Sequence, residues 1–105
     1  IEEKFMCRVL DVIEKNVADE DFSIEQFGKE IGMSRVQLHR KLKALTGKSA
    51  SSYLRSVRLL KAKKMLEEKE GNISEIAYST GFSSPTYFTR CFKEEFGYLP
   101  SNLKN

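Results

Sequence analysis

The residues best suited to chemistry sit in one short stretch, Ile31 to Gly47, which reads IGMSRVQLHRKLKALTG. It carries Arg35, Arg40, Lys41 and Lys43, the lone histidine His39, and no acid. Guanidinium and ammonium groups with no carboxylate or nucleophile beside them do not form a catalytic set; they bind anions. His39 has no second ligand at helical spacing, so a metal role is not expected. Cys7 and Cys91 have no CxxC or histidine companion and lie within helical apolar patterns. Both are therefore expected as buried free thiols in a reducing, cytoplasmic setting. No cofactor is implied.

The cations are concentrated rather than spread. Residues 1–33 hold four Lys/Arg against nine Asp/Glu, residues 34–66 hold ten and no acid, and residues 67–105 hold four against six. The net charge is only +3. A block of ten like charges repels itself, and a polyanion would relieve that strain while releasing its own counterions. Nucleic acid is the first candidate. An anionic membrane surface is weaker, because the cationic helices lack a broad exposed apolar face. No apolar run reaches transmembrane length and no signal peptide is present, so the chain is expected to be soluble. It opens on Ile1 without a methionine, which points to a piece of a larger protein.

Helices must position these cations, for apolar residues recur at three and four and never alternate for long. Phe5, Val9, Ile13 and Val17 mark a first helix over about 2–17. Ser23 with Gln26 makes a capping box for a short helix ending near Ile31. Ser34 caps a helix of about 35–46 that Gly47 stops. A long helix over 51–69 opens at Ser51 or Ser52 and ends at EGN, with Gly71 as its left-handed cap. A short helix over 73–80 stops at Gly81. Ser83 or Ser84 starts another over 85–96, with Pro85 in its first turn. Pro100 begins a terminal turn. The expected fold is all-α, with about seven helices.

The chain repeats itself. Ile24, Phe27, Gly28 and Gly32 fall on Ile73, Ile76, Ala77 and Gly81 at an offset of 49. After the turn, Leu38, Arg40, Leu42, Lys43 and Gly47 meet Phe88, Arg90, Phe92, Lys93 and Gly97 at an offset of 50. Each copy is a short helix, a glycine turn, a polar cap and a longer helix, the layout of a helix-turn-helix unit. Gly28 and Ala77 are small where two helices would cross closely. The division follows: residues 1–50 hold the N-terminal helix and the first unit, 51–69 the linker helix, and 70–105 the second unit.

In the longer helices, Leu38, Leu42 and Leu45, and then Phe88, Cys91, Phe92 and Phe96, form core stripes. Left outward are Val36, His39, Arg40 and Lys43, and Thr86, Thr89, Arg90 and Lys93, the same four positions twice. A core could not hold those cations, whereas a helix lying in a major groove uses them. The Arg40 and Arg90 forks match guanine O6 and N7. Val36 and the methyls of Thr86 and Thr89 suit thymine methyls, and His39 can meet a base edge. Lys43 and Lys93, further from the helix starts, suit phosphate. On the linker helix, Arg55, Arg58, Lys61, Lys63 and Lys64 spread around the axis, so Arg55 or Arg58 is expected to brace the units through a carboxylate. Tyr87, Phe88 and Phe92 are expected in the core rather than as stacking platforms.

The chain resembles the AraC/XylS family of bacterial transcription regulators. The carriers are GMSRVQLHRKLKALTGKS, YLRSVRLLKAKKML, ISEIAYSTGF and SPTYFTRCFKEEFG, and the resemblance covers about residues 5–105. It implies two helix-turn-helix subdomains joined by a linker helix, binding double-stranded DNA and acting on transcription with RNA polymerase as a partner. Base contacts carried over fall on Val36, His39, Arg40, Thr86, Thr89 and Arg90. Phosphate contacts fall on Ser34, Lys41, Lys43, Lys48, Ser84 and Lys93. The family usually attaches this domain to a sensing domain, and the first helix with its DEDFS turn is similar to modules ending two-component regulators and hybrid sensor kinases. Two positions depart: Ala50 stands where the family commonly has proline, and Pro85 and Thr86 lie where it varies freely. Two other readings compete. One is the DNA-binding module of an alkylation-repair protein, which would need a reactive thiolate in a polar pocket. The other is a basic module docking an acidic protein. An enzyme is not expected.

Overall fold

The expected helices form, and local bonds explain where each begins and stops. The computed structural model describes residues 2–103; the outermost residues of the expected domain spans, residue 1 and residues 104–105, lie outside them. The elements are α1 (Glu2–Asn16), α2 (Ile24–Ile31), α3 (Arg35–Thr46), α4 (Ala50–Glu67), α5 (Ile73–Ser79), α6 (Pro85–Phe96) and a 3-10 turn (Pro100–Leu103). Among the described residues there is no strand.

Starts are set by side chains that accept the orphan N–H groups of a first turn. Ser23 and Ser34 each make a reciprocal capping box with a glutamine three residues on, Gln26 and Gln37. Asn72 does the same with Glu75 at α5. Ser84 accepts the Tyr87 N–H without a reciprocal partner, and Pro85 follows it at the first helical position. At α4 the cap is Ser49 rather than Ser51 or Ser52: its Oγ accepts the Ser52 N–H at 3.2 Å, and the helix begins one residue before the expected start.

Stops use left-handed backbone. Gly32, Gly47 and Gly97 take φ near +80° just past their helices. The end of α4 departs from expectation. The left-handed residue is Lys69, at φ +57°, not Gly71, and Glu70 N–H closes back onto the Met65 carbonyl at 2.9 Å. The helix has finished its hydrogen bonds before Gly71 is reached, so the glycine is not needed as its cap.

Two compact units result, one of residues 2–16 with 21–55 and one of residues 17–20 with 56–103. α4 is thus shared, its first turns belonging to the first unit and the rest to the second. In the first unit α1 packs on α2 and α2 on α3. Phe5, Val9, Ile13, Phe22, Phe27, Ile31, Leu38 and Leu42 are buried there. Gly28 is held small by the turn: a Cβ on it would lie 2.6 Å from the Met33 carbonyl oxygen, main chain that has no rotamer to yield. The second unit has an aromatic core. Phe82, Phe88 and Phe92 are buried, and Tyr87, Phe96 and Tyr98 pack against them.

Two apolar assignments are corrected. Cys7 is exposed while Cys91 is buried in the second core. The buried stripe of α1 runs through Phe5, Val9 and Ile13, and residue 7 points some 200° away from residue 5 at 100° per residue. Leu45 shares the angular stripe of Leu38 and Leu42 yet is 39% exposed in the last turn of α3. Angle places a side chain on a face but does not say how far the covering helix extends.

Candidate nucleic-acid interface

In the first unit the capping box of Ser34 orients α3. Gln37 N–H donates to Ser34 Oγ at 3.1 Å, and Ser34 N–H donates to Gln37 Oε1 at 2.9 Å. The hydroxyl accepts one bond and keeps its own proton, so it can still donate to an anion. Val36, His39, Arg40 and Lys43 are all exposed along the outer face. A concavity of about 380 Å³ opens beside them, lined by Ile24, Arg35, Val36, His39, Ala50 and Ser51. Lys43 Nζ donates to the Gly47 carbonyl at 3.1 Å, which ties it to the C-terminal end of α3. Lys48 is exposed just past that end.

Lys41 lies elsewhere. Its ammonium is 3.6 Å from Glu2 Oε1 and sits over the Phe5 ring at 4.4 Å. Residue 41 is about 140° around the helix from Val36, so it faces α1 rather than the outer surface. The structure separates it from the other cations of the same stretch.

In the second unit Ser84 caps α6, and Thr86, Arg90 and Lys93 are exposed while Thr89 is half-buried. They line a groove of about 460 Å³ with Glu94 and Leu99. The Arg90 guanidinium rests over the Tyr87 ring at 5.4 Å, which limits its freedom before any ligand arrives. Tyr87 itself packs against the aromatic core, as expected for a support rather than a platform. Among the described residues neither Arg40 nor Arg90 is tied up in an ion pair.

Residues outside the sets expected from sequence also line these surfaces, among them Arg35, Ser51, Glu94 and Leu99. Arg35 occupies the first helical position of α3 and borders two concavities, the second formed with Ser23, Ile24 and Glu25. Its charge was visible in the basic run, but its proximity to the start of α2 was not. Ser51 belongs to α4, and only folding brings it beside His39. Glu94 and Leu99 join the second groove in the same way. Among the described residues no group of three or more His, Cys, Asp or Glu could hold a metal ion.

Of the two arginines expected to brace, Arg58 meets Asp19, and both residues lie in the second unit. Arg58 Nη2 donates to the main-chain oxygen of Asp19 at 2.8 Å, 39 residues away. Burial pulls this guanidinium below its ordinary range, and the Asp19 carboxylate and the Tyr87 phenol push it back up. Arg55 donates to Ser52 Oγ at 3.5 Å, and Lys63 lies over the Phe96 ring at 4.8 Å.

Comparison with known proteins finds the same arrangement elsewhere. Residues 27–105 match a family model described as a helix-turn-helix domain. A histidine kinase P4 of Formosa agariphila is 37% identical over the whole chain, which spans 8% of that protein. The HTH-type transcriptional activator RhaS of Escherichia coli is 37% identical over 88% of the chain, which spans 33% of it. An AraC-type transcriptional regulator from Chromobacterium violaceum superposes with a TM-score of 0.88 at 26% identity, covering 98% of this chain and 91% of that one. The DNA-binding domain of AdpA, solved in complex with a target DNA, gives 0.79 at 25% identity over 92% of this chain and 89% of that one.

Proposed function

The chain belongs to the AraC-type helix-turn-helix family, and on that premise we propose that it binds double-stranded DNA sequence-specifically to regulate transcription. One observation carries the reading. Two capped helices in a single chain present the same four positions outward, 36/39/40/43 and 86/89/90/93, each with an unpaired arginine fork. An α-helix about 10–12 Å across fits a major groove about 12 Å wide, where such a fork meets guanine.

In this reading Val36, His39 and Arg40 meet bases from α3, and Thr86, Thr89 and Arg90 meet them from α6. Ser34, Ser84, Lys43, Lys48 and Lys93 hold phosphates. Lys41, engaged with Glu2 and Phe5, is assigned to the fold instead. Functionally the chain divides into a first reading unit over 1–50, a spacer over 51–69 and a second reading unit over 70–105. α4 is one unbroken helix of 18 residues, about 27 Å long at 1.5 Å per residue. The DNA groove repeats about every 34 Å, so a two-part asymmetric site with modest bending of the duplex is the expected target.

The role is binding rather than catalysis. An alkyl-transfer reading has little to stand on, since Cys91 is buried in the apolar second core and Cys7 lies on the outer side of α1. We place the domain in the cytoplasm, acting with RNA polymerase and with a sensing or receiver domain on the same chain. The likeness to a histidine kinase supports a two-component setting.

Selection of bound duplexes from a random pool tests the proposal. Enrichment of two short elements at fixed spacing is expected. Arg40→Ala and Arg90→Ala should each cost about 1–3 kcal/mol and relax selection at one position. A pool that stays random, or binding that vanishes with salt equally for every sequence, would refute it.

A further inference from the structure

The second unit contains a strap with no counterpart in the repeat. Residues 17–20, which follow α1 directly, are part of this unit, and α4 reaches them through Arg58. Three main features meet at one point. Arg58 donates to the Asp19 carbonyl. Gly81, at φ +89°, leaves no room for a side chain: a Cβ would collide with the Val17 carbonyl oxygen and come within 2.7 Å of Arg58 Nε. Nε itself is buried with no hydrogen-bond partner among the described residues.

Gly81 is the turn of the second helix-turn-helix, three residues before the Ser84 cap of α6. The next residue, Phe82, is buried, with its ring 5.1 Å from Phe88 and 6.0 Å from Tyr87. Tyr87 in turn lies beneath Arg90. An unbroken set of contacts therefore runs from the strap, through Arg58 and the turn, to the arginine that reads.

We propose that Arg58 is a positioning residue for DNA recognition, holding strap 17–20 against the Gly81 turn so that Arg90 is aimed correctly. The proposal rests on the DNA-binding reading above. At the equivalent turn of the first unit the arrangement differs: Arg8 of α1 donates to the Ile31 carbonyl at 2.9 Å, and nothing lies within 4 Å of a Cβ built on Gly32, so no strap is pinned against that glycine.

The test compares Arg58→Ala and Arg58→Lys with the parent chain on duplexes carrying single base changes. The base pairs at which Arg90→Ala relaxes selection define the second element. Arg58→Ala should cut the penalty for a wrong base there by about fivefold and leave the element read by α3 within about twofold, with Arg58→Lys between. If Arg58→Ala does not fold, the methyl signals of Thr86 and Thr89 in Arg58→Lys provide the reading. They should shift while that of Thr46 stays in place. Equal loss at both elements, no loss at either, or unmoved threonine methyls would overturn the positioning role. If Arg90→Ala relaxes nothing while the parent still selects a sequence, the role is overturned as well. A parent chain that selects no sequence would overturn the DNA-binding reading instead.

Discussion

The two helix-turn-helix units share a layout but divide their chemistry unequally. Residues 34–48 carry Arg35, Arg40, Lys41, Lys43 and Lys48 with no acid. Residues 84–97 set Arg90 and Lys93 against Glu94 and Glu95. On the proposed reading, the first unit attracts a polyanion and the second discriminates once it is held. Their interiors differ correspondingly. α3 contributes aliphatic Leu38 and Leu42 to a core that also holds Phe5, Phe22 and Phe27, whereas α6 contributes rings of its own, Phe92 to Phe96 at 4.6 Å, with Tyr98 at 5.7 Å from Phe92. Edge-on ring contacts fix orientation more narrowly than aliphatic packing, which suits a helix that reads with few charges.

The largest test of that contrast is in the cores. Phe88→Ala, at a fully buried ring, should cost about 3–5 kcal/mol and strip amide protection from α5 and α6 while α2 and α3 keep theirs. Protection lost evenly across both would show that the two interiors melt as one. Next comes Gly28→Ala, where the new methyl meets main chain; about 1–3 kcal/mol of destabilisation in chemical denaturation is expected. A neutral result would mean the turn after α2 can move.

The electrostatic half of the comparison is read from salt. Removing the charges of Lys43 and Lys48 together should lower the log–log salt slope of DNA binding by about 2, and Lys93→Ala by about 1. If Lys93 alone matched the pair, the units would share the attraction evenly. The smallest effect is expected from Lys41→Ala. A part-exposed ion pair with Glu2 contributes about 0–1 kcal/mol, so stability should fall slightly and the salt slope should not change. A slope reduced by 1 would return Lys41 to the phosphate-binding set.

Much of this architecture was readable before any coordinates. Ser23, Ser34, Ser84, Gly32, Gly47 and Gly97 announce helix ends because a cap is settled by bonds within about four residues. The outward sets were readable too, since 100° per residue decides which side chains share a face. Other features escaped. Ser49 rather than Ser51 caps α4, because several serines in a row offer the same chemistry and only geometry chooses among them.

Sequence alone therefore determined the helices, the duplication and the faces, all of which depend on neighbours a turn away. Only the tertiary structure decided what covers each face. It exposed Cys7 and Leu45, turned Lys41 toward α1, brought Ser51 beside His39 and joined Arg58 to a carbonyl 39 residues distant. Contacts of that kind arise from packing between elements far apart in the chain, and no local pattern encodes their lengths or endpoints.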